Sequence, residues 1–510
     1  MPGSVNQFAL TARKLHGWSA MLADSTFDER LELRGMKSRR ADHVHVAALV
    51  LDAVLRQLQI DEVLVSDWGL REGTLLGALG LDAVPDAATV RTRATTSLRQ
   101  TFNDGDPHAD RVAHLAGRCF DELPSIHGLA AAYYLASNHG ITNVAVLDKG
   151  YLGGGGSGRN TAIVRSNYLT PEGVAFYDRS LALYNTMAGD LNINVMFSER
   201  GHLTLAHTDS ALRTMRWRAE VNKLQNIDSE VIGPDRVGEL VPSLDTGATS
   251  RYPILGALYH PPGGTIRHDT VNWGYARAAD AYGVEIHQKT AVLDLMVSGG
   301  DGPHGKGSGG KVVGVRTNRG DIATGTVLNC TAGWASIVSD MAGVSLPITT
   351  HPLQAAVTEP VKTFLPAVVV SGSLHVYVSQ TDRGELVFGA SVDPFATYSM
   401  RGSLDFTEEL ASHILQLMPG ISKMRLLRQW AGLCDMTPDY SPVMGFTPVE
   451  GFLCDVGWGT YGFKAGPVSG EQMAECIATS STPKLLAPFS LDRFAAGTLV
   501  GEQGAAAVGH

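Results

Sequence analysis

The chain has 510 residues, 44% of them hydrophobic and 18% charged, with a formal net charge of −10. The length allows roughly two to four domains, and the interspersed charges argue against a nucleic-acid polymer as partner while admitting a small anionic ligand. Five cysteines without a CxxC pair suggest neither a disulfide framework nor a zinc site. No apolar run approaches a membrane span, and MPGSVNQFAL lacks the basic-then-apolar profile of a signal peptide, so a cytoplasmic protein is expected.

Residues 1–122 differ in texture from the rest. HVHVAALVLDAVLRQLQ (43–59) carries apolar residues at helical spacing, and VLVSD (63–67) follows as a short strand ending in a turn. LREGTLLGAL (70–79) reads as a helix. A polar stretch leads to ADRVAHLAGRCFDEL (109–123), which places Val112, Leu115, Cys119 and Leu123 on one helical face. No internal repeat is found.

From Ser125 onward, strand-like and helix-like segments alternate. HGLAAAYYLASNHG (127–140) is a helix whose Gly128, Ala130, Ala131 and Ala132 permit close packing on a sheet. ITNVAVLDKG (141–150) is an apolar strand ending in Asp148, about twenty positions after Gly128, the interval at which a dinucleotide-binding βαβ unit places a ribose-binding acid. Gly128 is then the third glycine of GxGxxG, and the two earlier slots hold Leu123 and Ser125 with Pro124 between them. The preceding GRCFDE is helix-like rather than a buried β-branched strand. YLGGGGSGRNTAIVRSNY (151–168) can bring backbone N–H groups to a phosphate or a flavin edge. Arg165, within this stretch just after the glycine run, could grip a carboxylate bidentately.

PPGGTIRHD (261–269) places His268 before an amphipathic helix with Asp269 as its expected N-cap. SGGDGPHGKGSGGK (298–311) reads as a long flexible hairpin loop. GKVVGVRTNRGDIATGTVLNCTAGWAS (310–336) reads strand, turn, strand and glycine-bearing turn. DVGWGTYGFKAGPVSGEQMAECIA (455–478) reads strand, Gly-rich turn and helix, with Lys464 at the anion-favouring helix start. Read alone, Arg165 is equally a surface arginine, His268 an exposed loop histidine and Lys464 a solvated turn lysine.

Together HGLAAAYYLASNHGITNVAVLDKG, GGGGSGRNTAIVRSNY, NVMFSERGHLTLAHT, GGTIRHD, THPLQAAVTE, HVYVSQTDRGELVFGA and GWGTYGFKAGPVSG resemble the β subunits of heterotetrameric sarcosine oxidases, among the glycine-oxidase-like flavin amine oxidases. The resemblance runs from about residue 127 to 478. It implies an α/β protein with a Rossmann-like FAD-binding domain lacking its usual first strand, and an α+β substrate domain built on an antiparallel sheet. It implies non-covalent FAD, with Gly128, Asp148 and Lys149 at the nucleotide and Val292 at the adenine region. Gly155, Gly156, Ser157, Arg159, Asn160 and Thr161, with Gly333, Gly459, Thr460, Gly462 and Lys464, would surround the rest of the cofactor. Arg165 and Lys464 match the positions that grip the substrate carboxylate, and His268 matches the histidine that carries covalent FMN when a partner subunit is present. The implied reaction is oxidation of a secondary amino acid such as sarcosine by hydride transfer to FAD, with electrons passing to FMN and then oxygen. The implied partners are α, γ and δ subunits, with no nucleic acid, membrane or metal.

FDERLELRGMKSRRAD, LVLDAVLRQLQIDEVLVSDWGLREG and ADRVAHLAGRCFDEL resemble instead the later part of exopolyphosphatase/guanosine pentaphosphatase proteins, an N-terminal α/β fragment whose phosphate loops and catalytic glutamate lie upstream of anything present. A join near 123–125 would then replace the first strand and two glycines. The expected division is 1–122 as this fragment, 125–210, 261–345 and 436–490 as the FAD-binding parts, 211–260 and 346–435 as the substrate domain, and 491–510 as a frayed tail. Two rival readings are a flavin-deficient fusion without catalysis and a phosphohydrolase.

Overall fold

The computed structural model describes residues 8–33, 41, 44–65, 126–247 and 250–502. The expected helices at 70–79 and 109–123, the glycine-slot residues Leu123 and Ser125 with Pro124, and the tail beyond Glu502 lie outside the described residues. The chain divides into two units, Met1–Ala113 and His114–His510. In the first, β1 (Phe8–Thr11) leads into α1 (Ala12–Asp24) and α2 (Phe27–Glu32), followed by α3 (Val44–Gln57) and β2 (Glu62–Val65). Thr26 and Glu29 close a capping box on α2. β2, the described part of VLVSD, pairs antiparallel with β1, and Leu15 packs on Leu55.

The second unit opens with α4 (Ile126–His139), β3 (Ala145–Asp148) and α5 (Gly156–Arg159), a single turn inside the glycine run. β4 (Ile163–Val164), α6 (Pro171–Asp190), β5 (Ser198–Glu199), β6 (His202–Ala206) and α7 (Asp209–Leu224) follow. Then come β7 (Glu230–Ile232), α8 (Pro234–Leu240), β8 (Gly256–His260), β9 (Gly264–Thr265) and α9 (His268–Ala281). β10 (Glu285–Gln288), β11 (Val292–Ser298), β12 (Lys311–Thr317), β13 (Gly320–Ala323), β14 (Val327–Asn329) and α10 (Ala335–Met341) continue the chain. The last part holds β15 (Thr349–Thr358), β16 (Val368–Ser371), β17 (Val376–Gln380), β18 (Leu386–Val392), α11 (Leu404–Leu417) and β19 (Leu426–Met436). It ends with β20 (Val443–Phe446), β21 (Phe452–Val456), α12 (Gly462–Thr479) and α13 (Arg493–Ala496).

The largest sheet has eight strands in the order β19-β15-β18-β17-β16-β6-β8-β7. One face buries Leu203, Leu205, Val369, Val376 and Val378 against Phe406, Leu410 and Ile414 of α11. β6 belongs to this sheet, although it lies in the 125–210 segment of the sequence-based division. β11 and β12 form the expected hairpin around 298–311, and its loop is shaped by a 3-10 turn at Pro303–Gly305. Two corrections to the local expectations arise. α9 begins at His268 with Arg267 as N-cap, so Asp269 lies within the first turn, where its carboxylate pairs with Arg267. The tail is also anchored at its start: Glu502 is buried and accepts the Leu169 and Thr170 N–H groups at 3.1 and 2.9 Å.

Besides the parallel β6–β16 pair of the large sheet, two smaller sheets contain parallel pairs. β3 pairs with β10 and β14 with β21, and among the described residues no strand joins β3 to β14. α4 contacts both smaller sheets: it packs on β3, and a Cβ added at Gly128 would lie 3.7 Å from the Cys330 Cβ just beyond β14. No described helix is long and apolar enough to cross a membrane.

The topology makes a direct prediction. Replacing residues 1–126 by a β-branched strand and four glycines, with His127 onward unchanged, should raise both the melting temperature and the FAD bound per chain. Equal values for the two proteins would mean that residues before His127 already do the work of that strand.

Candidate functional site

The cavity of interest lies between the eight-stranded sheet and the N-terminal ends of α4 and α12, and encloses about 1270 Å³ including its open mouth. Strand alternation selects its roof. Leu203 and Leu205 of β6 enter the core beneath the sheet, while His202 and Thr204 face the cavity, with Val370 of β16, Tyr377 of β17, and Leu353 and Ala355 of β15. β19 adds Cys434 and Asp435.

The floor comes from the two glycine-bearing loops. Gly158 must be glycine, because a Cβ there would sit 1.6 Å from the Gly153 carbonyl oxygen. The loop therefore folds tightly on itself and offers Gly156, Ser157, Arg159, Asn160 and Thr161 to the cavity. Arg159 fixes it from both sides: Nε donates to Gly154 O at 3.0 Å, and the Trp430 indole donates to Arg159 O at 2.7 Å. The second loop supplies Gly459, Thr460, Gly462 and Lys464. It is held by Asp435, whose carboxylate accepts the Gly457 N–H at 2.5 Å and whose carbonyl accepts the Gly459 N–H at 3.1 Å. Burial pushes the Asp435 carboxyl up to about 6.

Arg165 and Lys464 line this same cavity. Arg165 is buried, donates to the carbonyl and side-chain oxygens of Asn167 at 3.0 Å each, and lies 4.3 Å over the Tyr168 ring. Lys464 lies 5.6 Å over the Tyr461 ring. Burial, and then the Arg165 charge, hold the Lys464 ammonium down at about 7. Arg218, donating to Asn167 O at 2.7 Å, is also buried, and burial with the Arg165 charge lowers it to about 9. This end of the cavity is cationic and suits an anion.

Asp148 stands apart from the cavity, at the end of β3. It is fully buried, and its Oδ1 accepts the Gly150 N–H at 2.7 Å, while Oδ2 has no partner. Burial raises its carboxyl to about 7. An orphaned carboxylate oxygen at the end of a parallel strand fits a pair of ribose hydroxyls, and the cavity fits a flat ring system flanked by two backbone loops. FAD therefore fits the residues present at both ends. His268 does not line the cavity; its ring meets Phe463, which does, edge-on at 6.4 Å. Val292 starts β11 and packs beside Leu147 on the cluster around Leu295. Gly333 lets a 3-10 turn approach β19, since a Cβ there would lie 2.7 Å from the Leu433 Cβ. Gly128, Lys149 and Gly155 also lie outside the cavity lining.

Sequence reasoning missed His202, Thr204, Tyr377, Asp435, Trp458 and His127. The alternation in GHLTLA was the available signal for the first two. His127 stacks on Trp458 with ring centroids 4.6 Å apart, and its Nδ1 hydrogen-bonds Ser469 Oγ at 2.7 Å. Ser469 in turn donates to Asp455, which also accepts the Trp458 indole N–H at 2.8 Å.

Comparison with known proteins identifies the family. Residues 126–476 match the family described as FAD dependent oxidoreductase, beginning at the first residue of α4, and residues 2–81 match the Ppx/GppA phosphatase family. The chain is 46% identical over 384 residues to sarcosine oxidase subunit beta of Rhodobacter capsulatus, covering 75% of this chain and 90% of that protein. Identity to the same subunit of Arthrobacter sp is 44% over 384 residues, covering 75% and 92%. Among solved structures, L-proline dehydrogenase from P. horikoshii superposes with a TM-score of 0.68 at 26% identity, covering 74% of this chain and 97% of that one. Glycine oxidase from Geobacillus kaustophilus gives 0.64 at 21% identity, covering 72% and 96%, a likeness of fold.

Asp148 generates a prediction with two opposite signs. Its value of about 7 in the fold lies above the ordinary aspartate value of 3.8, so burying the ionised form lowers stability as pH rises between them. In flavin-free protein, Asp148→Asn should melt higher than wild type at about pH 8, and the gap should close at about pH 4. The same change should weaken FAD binding by roughly ten- to a hundredfold through loss of charge-assisted hydrogen bonds. A variant that binds FAD normally in a fluorescence titration removes Asp148 from the nucleotide site.

Proposed function

The chain belongs to the FAD dependent oxidoreductase family and is a homologue of sarcosine oxidase subunit beta, and from that premise we propose that it oxidises a small secondary amino acid such as sarcosine. The observation that carries this reading is the meeting of Arg165 and Lys464 in one cavity under an otherwise largely apolar roof. A guanidinium and an ammonium at one end bind the substrate carboxylate. The apolar side chains of Leu353, Ala355 and Val370 keep water from the remainder of the substrate. Arg165 is already braced by Asn167 and Tyr168, so little side-chain freedom is lost when it takes an anion.

FAD, when bound, supplies the two-electron acceptor that amino-acid side chains lack. The residues that would hold it are Asp148 with Gly128 and Lys149 at the nucleotide end, Val292 near the adenine, and Gly155–Thr161, Gly333 and Gly459–Lys464 about the rest. The break between β3 and β14 is read as the place of the usual first strand of such a domain. His268 is read as the attachment point for a second flavin, FMN, formed with a partner α subunit, and γ and δ subunits complete the proposed assembly. The edge-on contact of His268 with Phe463 supports this, because Phe463 lines the first cavity and His268 lies just behind it.

Two measurements test the reading. In an FAD-loaded preparation titrated with sarcosine, Arg165→Met or Lys464→Met should each weaken binding by roughly one to two orders of magnitude. Arg165→Lys should also be harmful, because a point charge does not reproduce a planar fork. Wild-type affinity should fall as pH rises above about 7, where unliganded Lys464 loses its proton, and Lys464→Met should lack that dependence. Unchanged affinity in both Met variants removes the carboxylate site.

For His268, acid precipitation of chain co-produced with the α subunit should leave yellow flavin on the protein. His268→Ala should release it. Flavin that stays attached in the variant assigns the linkage to another residue.

A further inference from the structure

Two histidines face each other across β6 and β8, His202 and His260, and only one of them has its ring committed. His260 Nδ1 donates to Asp228 O at 2.6 Å, and Nε2 accepts the Ser166 N–H at 3.3 Å. Those partners hold His260 as a neutral ring with both nitrogens in use. His202 is 2% exposed and its Nδ1 has no hydrogen-bond partner. A buried polar atom left unpaired calls for a reason, and the ring that carries this one belongs to a residue lining the cavity that also holds Arg165 and Lys464.

The surroundings set the chemistry of the missing partner. Burial, Arg165, His260, Arg218 and Lys464 together hold His202 well below the usual histidine range. The ring is therefore neutral and carries one N–H. A further cation is excluded by the same charges. An anion lying among them takes that N–H and offsets the charges at the same time.

We propose that His202 is a specificity-determining residue, donating a hydrogen bond to the carboxylate held by Arg165 and Lys464 and so favouring an acid over its uncharged amide. This rests on the reading that the cavity takes a carboxylate. The alternative is a histidine that merely fills space: its Cβ lies 2.6 Å from where a Cβ on Gly263 would stand, so the strand and the following turn are closely packed there.

The test separates donor from filler. Methoxyacetate and methoxyacetamide, which differ only in the group Arg165 and Lys464 would hold, are titrated by calorimetry into the full chain supplied with FAD. His202→Leu, apolar and of comparable bulk, should weaken methoxyacetate about tenfold or more while leaving methoxyacetamide within about twofold. His202→Gln, which restores a donor, should recover part of the acid affinity. Equal losses for acid and amide overturn the proposal in favour of a packing role, and so does an unchanged acid affinity in His202→Leu. If Arg165→Met loses the acid while His202→Leu keeps it, this inference fails and the carboxylate site stands. If the wild-type chain does not prefer the acid, both fail.

Discussion

The close crossing of α4 and α12 is the contact on which the site depends. Gly466 and Gly470 lie one turn apart on α12. A Cβ on Gly470 would stand 2.4 Å from the Ala130 Cβ, and one on Gly466 2.6 Å from Ile126. Small residues on both helices let the backbones approach until their N-terminal ends reach the same cavity. Between the two glycines, Ser469 is then close enough to bond His127 and Asp455 together. That network ties the start of α4 to the end of β21, and the loop leaving β21 is the one that carries Gly459, Thr460 and Lys464. Larger side chains at the crossing would force strain or separation, since packed interiors absorb added methylenes poorly.

Electrostatics follows from that geometry. The cavity gathers Arg165 and Lys464, with Arg218 behind them, and Glu502 is a buried carboxylate nearby that is already occupied with Leu169 and Thr170. Burial then shifts each group toward its neutral form, Lys464 downward and Asp148 and Asp435 upward. Such shifts, at Lys464 and Asp435 of the cavity and at Asp148 apart from it, are what a binding site shows before its charges are met. On the proposed reading the cations meet an acid and Asp148 meets hydroxyls. His202 occupies the same field and stays neutral, which leaves its N–H available.

Much of the local structure was legible. The alanine-rich helix, the strand ending at Asp148 and the hairpin at 298–311 each follow from a pattern contained within a short window, because helix and strand periods and glycine turns are local properties. The glycine-bearing turns at 155–161 and 459–464 were legible for the same reason. Asp269 was misread as an N-cap because the sequence favours an acid there, whereas the helix starts one residue earlier and the acid bonds Arg267 instead. β6 was placed with the flavin-side segment because its chain neighbours are there; its hydrogen bonds go to β16 and β8, partners that no local pattern names.

By itself, then, the sequence determined the family, the order of elements and the residues with suitable chemistry. The tertiary structure decided which of those residues meet. Arg165 comes from the segment after a glycine loop, His202 from an interior strand and Lys464 from a late helix, and they share one cavity only because the sheet and the α4–α12 crossing close over long stretches of chain. The same holds for β3 and β14, which no strand joins among the described residues: a missing glycine is visible in a line of letters, but which strands pair with which is not. Periodicity is written along the chain, whereas convergence depends on packing between parts far apart in it.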